Sequence, residues 1–118
     1  MGLSLGYLAF GVSDLEAWRA FGSHVLGMDV TDADDGLRIR MDDRAARFHL
    51  QRGADRLAGL GLEADPGTFD DMVSHLRSGG VSVEHDVELA ARRGVGELAR
   101  FLDPAGTPVE LHHSPMLA

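Results

Sequence analysis

The sequence contains no cysteine, which excludes a disulfide framework, a thiolate nucleophile and a cysteine-ligated zinc site. No apolar run approaches the ~18 residues that a membrane-spanning helix needs. The first ten residues, MGLSLGYLAF, carry neither a basic region nor a small-residue cleavage site. These absences point to a cytoplasmic protein without a membrane partner. Positive charge is also scarce. Eleven Lys and Arg against nineteen Asp and Glu leave a net charge of −8, and phosphate binding needs a basic face, so nucleic acid is not expected as a partner. RLAG and AARRG are local basic spots rather than a stripe. RRGVGE lacks the strand-turn-helix frame of a phosphate loop, and there is no G-x-S-x-G. The acidic run Asp32–Asp35 lacks the alternating oxygen ligands and closing glutamate of a calcium loop, so it reads as a hairpin turn.

What is present is periodic. LSLGYLAFGVS alternates with a period near two and predicts a strand. SDLEAWRAFGSHVLG follows as a helix, with Ser13 at the cap, Glu16 completing a capping box and Gly27 as the stop. Leu15, Trp18, Phe21, Val25 and Leu26 recur at helical spacing, so Trp18 and Phe21 read as core anchors. The segment MDVTDADDGLRIRMDDRAARFHLQRG then offers three short strands, separated by acidic turns at Asp34–Gly36 and Asp42–Asp43.

The same order then begins again. RLAGLGLEAD is an alternating strand, and PGTFDDMVSHLRSGG a helix with Thr68 as cap and Gly79 as stop. VSVEHD, GELARFLD and PVELHH are three further strands, with one helical turn at VELAARRG. At an offset of 52, Leu5 meets Leu57, Tyr7 meets Gly59, Ser13 meets Asp65 and Gly27 meets Gly79; towards the end the offset is 61 and RFHLQ meets PVELH. The expected organisation is one domain, 1–118, built from two βαβββ modules at about 3–53 and 56–113. The fold class is α+β.

LGYLAFGVSDLEAWRAFGSHVLGM, LRIRMDDRAARFHLQRG and ELAARRGVGELARFLDPAGTPVEL together resemble the N-terminal domain of type I extradiol ring-cleavage dioxygenases of the 2,3-dihydroxybiphenyl dioxygenase kind. These belong to the vicinal oxygen chelate superfamily, with glyoxalase and bleomycin-resistance proteins. The resemblance covers roughly residues 2 to 114, and FLDPAGTPVEL is its most distinctive part. It implies two modules whose curved mixed sheet encloses a cleft. It also implies that iron and ring cleavage belong to a separate C-terminal half, in which two histidines and a glutamate bind the metal.

In metal-binding members the ligands come from the first and last strands of each module. The resemblance places Tyr7, His49, Gly59 and Glu110 at those positions, with His112 flanking the cleft on Glu110's side. His49 and Glu110 are the metal-ligand candidates for iron(II) or another divalent ion. Gly59 offers no donor, and a neutral phenol titrating near ~10 is a poor ligand. An oxygen-activating iron site usually needs two histidines and a carboxylate, so the set is incomplete, no cofactor is expected in this chain, and no ring cleavage on its own. His49 reads as a strand histidine hydrogen-bonded to Glu110 or Tyr7. Neighbouring strand residues face opposite ways, so His113 points away from His112, and both fall at a frayed end. His24 and His75 read as solvated helix residues, and Ser74 as helix surface. The cleft is expected to draw its lining from Tyr7, Ala9, Ile39, Phe48 or His49, Leu60 and Glu110, with Gly59 and Gly61 leaving room. Two alternatives stand beside the dioxygenase half. One is a module sequestering an aromatic or hydrophobic small molecule, its open sheet edges favouring a homodimer. The other is a glyoxalase-type isomerase or lyase using His49 and Glu110.

Overall fold

The computed structural model describes residues 2–33 and 36–117. Strand β1 (Ser4–Val12) leads into helix α1 (Leu15–Ala20), which continues as a π-helical turn over Phe21–Val25. Strands β2 (Asp29–Ala33), β3 (Gly36–Arg40) and β4 (Phe48–Arg52) complete the first half. Strand β5 (Arg56–Ala64), helix α2 (Pro66–Ser78), strand β6 (Glu84–His85), helix α3 (Val87–Arg93), and strands β7 (Val95–Leu102) and β8 (Pro108–Pro115) form the second. The expected hairpin at Asp34–Gly36 falls partly outside the described residues, since Asp34 and Asp35 are not among them.

All eight strands join one mixed sheet in the order β2-β3-β4-β1-β5-β8-β7-β6. Antiparallel β1 and β5 lie at its centre. Outward from there, each half repeats one pattern: a parallel pair (β1 with β4, β5 with β8), then antiparallel neighbours. The architecture is α+β, as the two rounds of alternating and helical periodicity predicted.

Each half buries its own core between the sheet and one helix. Val12, Leu15, Leu37, Ile39 and Leu50 pack with Phe10, Trp18 and Phe48 under α1. Ala64, Phe69, Val73, Ala99 and Leu111 pack with Leu62 and Phe101 under α2. Ile39 and Phe48 therefore face the helix side and not the cleft. Leu60 alternates with Gly59 and Gly61 along β5 and shares their opposite face. Helix α3 is different: Leu89 and Ala90 pack on Leu98, whose strand partner is His112, so this helix covers the inner face.

Several local expectations need correction. The cap of α1 is Asp14, whose carboxylate accepts from Ala17 N at 3.0 Å. Ser13 instead donates its N–H and its hydroxyl to Asp55, both at 2.8 Å, tying the end of β1 to the β4–β5 loop. Asp65 caps α2, accepting from both Thr68 N and Thr68 Oγ1 with Pro66 in the first turn. Gly79 ends α2 as expected. Phe21 is 43 % exposed and Val25 more so, because the π-helical turn shifts the helical phase. Gly22 faces the sheet in their place, where a Cβ would stand 2.9 Å from Val30 Cγ2. VSVEHD contributes only the two residues of β6, short as befits an edge strand. VELAARRG makes a full seven-residue helix, capped by Asp86 and ended by Gly94 at φ +70°. His112 and His113 are not frayed: β8 runs to Pro115, His112 is 1 % exposed, and His113 Nε2 donates to Glu97 at 3.0 Å. No helix among the described residues is long and apolar enough to cross a membrane.

Candidate functional site

Strand pairing carries one set of side chains to the inner face. Ala9 on β1 lies opposite His49 on β4 and Gly59 on β5, and Gly61 on β5 lies opposite both Tyr7 and Glu110. Period-two alternation then puts Tyr7, His49, Gly59, Glu110 and His112 on the same side. The structure brings all five together. The Tyr7 hydroxyl donates to Glu110 Oε1 at 2.5 Å. The Tyr7 ring stacks on His112 with centroids 4.7 Å apart and meets His49 edge-on at 4.8 Å. His49 thus touches Tyr7 through its ring edge, not through the expected hydrogen bond.

The space expected at the glycines is taken. A Cβ at Gly59 would stand 2.1 Å from Glu110 Oε2, and one at Gly61 would stand 2.7 Å from the Tyr7 ring. The cavity left beside Tyr7, His49 and His112 measures about 10 Å³. That is room for roughly one water. An aromatic ligand does not fit among these five residues as they stand.

Sequence reasoning missed the residue that fills the site. Arg93, at the last turn of α3, donates from Nε to Glu110 Oε1 at 2.8 Å and from Nη2 to Oε2 at 3.2 Å. Nη1 donates to Gln51 Oε1 at 3.3 Å, and the guanidinium carbon stands 5.8 Å from the Tyr7 ring centroid. The Arg93 and Glu110 side chains are only 6 % and 4 % exposed. A signal was legible: Leu89, Ala90 and Arg93 share one face of α3, and an arginine on an apolar helix face needs a carboxylate.

The electrostatics follow from burial. Desolvation, reinforced by the Glu110 charge, pushes the Tyr7 phenol well above its ordinary value, so it stays protonated as a donor. Desolvation and then the Arg93 and Arg38 charges depress His49 to about 3, leaving it neutral. His112 is also pushed down by burial, although its Nδ1 donates to the Glu110 carbonyl at 3.1 Å. Burial works against the Arg93 charge, but the bonds and charge of Glu110 outweigh it and raise its pKa. The cluster is a buried Arg93–Glu110 ion pair walled by the Tyr7, His49 and His112 rings.

In this arrangement Glu110 is hydrogen-bonded at both oxygens and charge-matched by Arg93. Oε1 accepts from Tyr7 and Arg93, and Oε2 accepts from Arg93. Among the described residues no three His, Asp or Glu side chains are grouped to hold a metal ion. The guanidinium supplies the positive charge that a metal would bring, so the donor set does not fit the group.

Residues 5–53 match the family described as dihydroxybiphenyl dioxygenase BphC D1. Biphenyl-2,3-diol 1,2-dioxygenase of Paraburkholderia xenovorans (strain LB400) is 43 % identical over 114 residues, covering 93 % of this chain and 38 % of that protein. Over nearly its whole length the chain matches the N-terminal domain of extradiol dioxygenases. A further extradiol relative, the iron-dependent extradiol dioxygenase of Rhodococcus jostii (strain RHA1), is 37 % identical over 119 residues, covering 97 % of this chain and 40 % of that protein. The solved catechol 2,3-dioxygenase superposes with a TM-score of 0.89 at 36 % identity, over 96 % of this chain and 42 % of that one. The chain thus spans about two-fifths of the length of these extradiol enzymes.

Proposed function

We propose that this chain acts as the non-catalytic N-terminal half of an extradiol dioxygenase, holding no iron itself and supporting a C-terminal half that does. The observation that carries the reading is the full engagement of Glu110 by Arg93 and Tyr7. Both oxygens of this carboxylate are thereby hydrogen-bonded, and Glu63, which lines the same small cavity, is held by Arg44. The share of the relatives' length that this chain matches supports a partner of the remaining length. Residues 1–118 are read as one domain, with modules at about 3–53 and 56–113 meeting at the β1–β5 pair. By the names of the relatives, the whole enzyme would open the ring of an aromatic diol, with iron in the C-terminal half supplying the oxygen chemistry. This chain's own residues do none of that: Arg93, Glu110 and Tyr7 lock the inner face, and α1 and α2 close the outer one.

The two other readings lose their footing on the same geometry. A glyoxalase-type lyase needs Glu110 as base beside a metal, and Glu110 is occupied by donors. Sequestration around Tyr7 needs volume that the side chains fill.

The test is reconstitution. The chain alone, loaded anaerobically with iron(II) and given 2,3-dihydroxybiphenyl in air, should form no yellow ring-cleavage product. The same chain joined to a C-terminal extradiol half should form it. Product from the chain alone, abolished by Glu110→Ala, would overturn the proposal.

A further inference from the structure

The Arg93–Glu110 pair divides the inner face into two spaces. On the Tyr7 side the cavity is about 10 Å³. On the other side lies a pocket of about 220 Å³, to which Ala58, Leu89 and Pro108 give an apolar wall and Gln51, Asp86, Arg92, Arg93, Arg100 and Glu110 a polar one. Its ion pairs can be added up. Arg93 is matched by Glu110, and Arg100, also on the rim, is matched by Glu84 and Asp86. The Arg92 side chain has no carboxylate partner among the described residues. Beside it, Arg38 Nη2 donates to the Arg92 carbonyl at 2.8 Å, and Arg38 too lacks a carboxylate partner there. Arg38 Nε is buried with no hydrogen-bond partner among the described residues, and such orphaned donors are rare in folded proteins.

Of the guanidinium groups that line the pocket, Arg92 alone is unmatched by a carboxylate among the described residues, in a chain of net charge −8. A guanidinium fork matches a carboxylate, and the wall of Ala58, Leu89 and Pro108 matches a flat apolar body. The volume lies below the ~300 Å³ at which drug-sized pockets begin, which limits the guest to about one ring. We propose that this pocket binds a small organic monocarboxylate with a single-ring or similarly compact apolar body. The inference goes beyond the dioxygenase reading and does not rest on it, because it concerns the opposite side of the ion pair and involves no iron.

The experiment is an amide-resolved NMR titration of the full chain with benzoate, beside benzyl alcohol as a neutral analogue and acetate as a bodiless one, at constant ionic strength. Benzoate should give saturable shifts centred on Gln51, Ala58, Leu89 and Arg92. Benzyl alcohol and acetate should each bind at least about tenfold more weakly, a difference of about 1.4 kcal/mol. Arg92→Gln, at an exposed position that should not disturb folding, should weaken benzoate about fivefold, the loss expected for one solvent-exposed charge contact. Ala58→Leu should abolish the shifts by filling the pocket. Shifts that do not saturate, equal binding of benzyl alcohol or acetate, or unchanged affinity in Arg92→Gln would each overturn the proposal. The Arg92 variant keeps the test decisive even if Ala58→Leu misfolds.

Discussion

Replacing Arg93 by Met removes one member of a buried ion pair and fills much the same volume. The guanidinium and the carboxylate are 6 % and 4 % exposed, so water screens neither and cannot take the lost partner's place. Breaking a pair of this kind by truncating one side costs about 3–5 kcal/mol, chiefly because the other charge is left stranded. Set against a total folding stability of about 5–15 kcal/mol, that loss is large. For a domain of this size it corresponds to a fall in Tm of roughly 12–20 °C. Glu110→Gln should cost a similar amount by stranding the arginine. The double variant Arg93→Met/Glu110→Gln leaves no charge behind, and its amide oxygen can still accept from Tyr7. It should return to within about 2 kcal/mol of the parent. Urea denaturation of the four proteins gives the coupling energy directly. Single-variant costs below about 1 kcal/mol that simply add would mean the pair behaves as a solvated surface contact, and the locked inner face would be refuted.

Four further outcomes follow from the same geometry. Tyr7→Phe removes a donor to a charged, buried acceptor and should cost about 1.5–3 kcal/mol by denaturant titration. Gly59→Ala forces a Cβ to 2.1 Å from a carboxylate oxygen held on both sides, and should destabilise by about 1–3 kcal/mol or more. Gly53→Ala, whose nearest neighbour would be Gly11 Cα at 3.5 Å, should stay within about 0.5 kcal/mol. His49 is depressed to about 3 when folded and titrates near ~6.5 when unfolded, so the unfolded chain binds the extra proton between those values. Stability should therefore fall as pH drops below about 6.5, by at most about 1.4 kcal/mol per pH unit from this group. His49→Gln should reduce the loss between pH 6.5 and 5, leaving the share that His112 contributes; an unchanged slope would show that His49 does not titrate as its burial requires.

The order of elements was legible because each half alternates and then turns helical before alternating again, and each period follows from which face is buried. The caps were not. Around residues 13–14 and 65–68 several Ser, Thr and Asp side chains could each cap a helix, and sequence does not say which one adopts the extended backbone; Asp14 and Asp65 do. The π-helical turn, which moved Phe21 and Val25 outward, leaves no mark in the spacing. Among site residues, Tyr7, His49, Gly59 and Glu110 are placed by the family resemblance laid over the two halves, and His112 by its alternation with Glu110. Arg93 came from a segment read only as basic and helical, and it decides the chemistry. Its partner lies seventeen residues away on another strand, so no local pattern links them.

The most direct check on the account is metal stoichiometry in the intact chain. After anaerobic equilibration with iron(II) and removal of the excess, native mass spectrometry should find less than about 0.1 iron per chain, because both Glu110 oxygens are hydrogen-bonded and its charge is already matched by Arg93. One iron per chain, lost on Glu110→Ala or His49→Ala, would contradict the claim that a guanidinium stands where a metal would act.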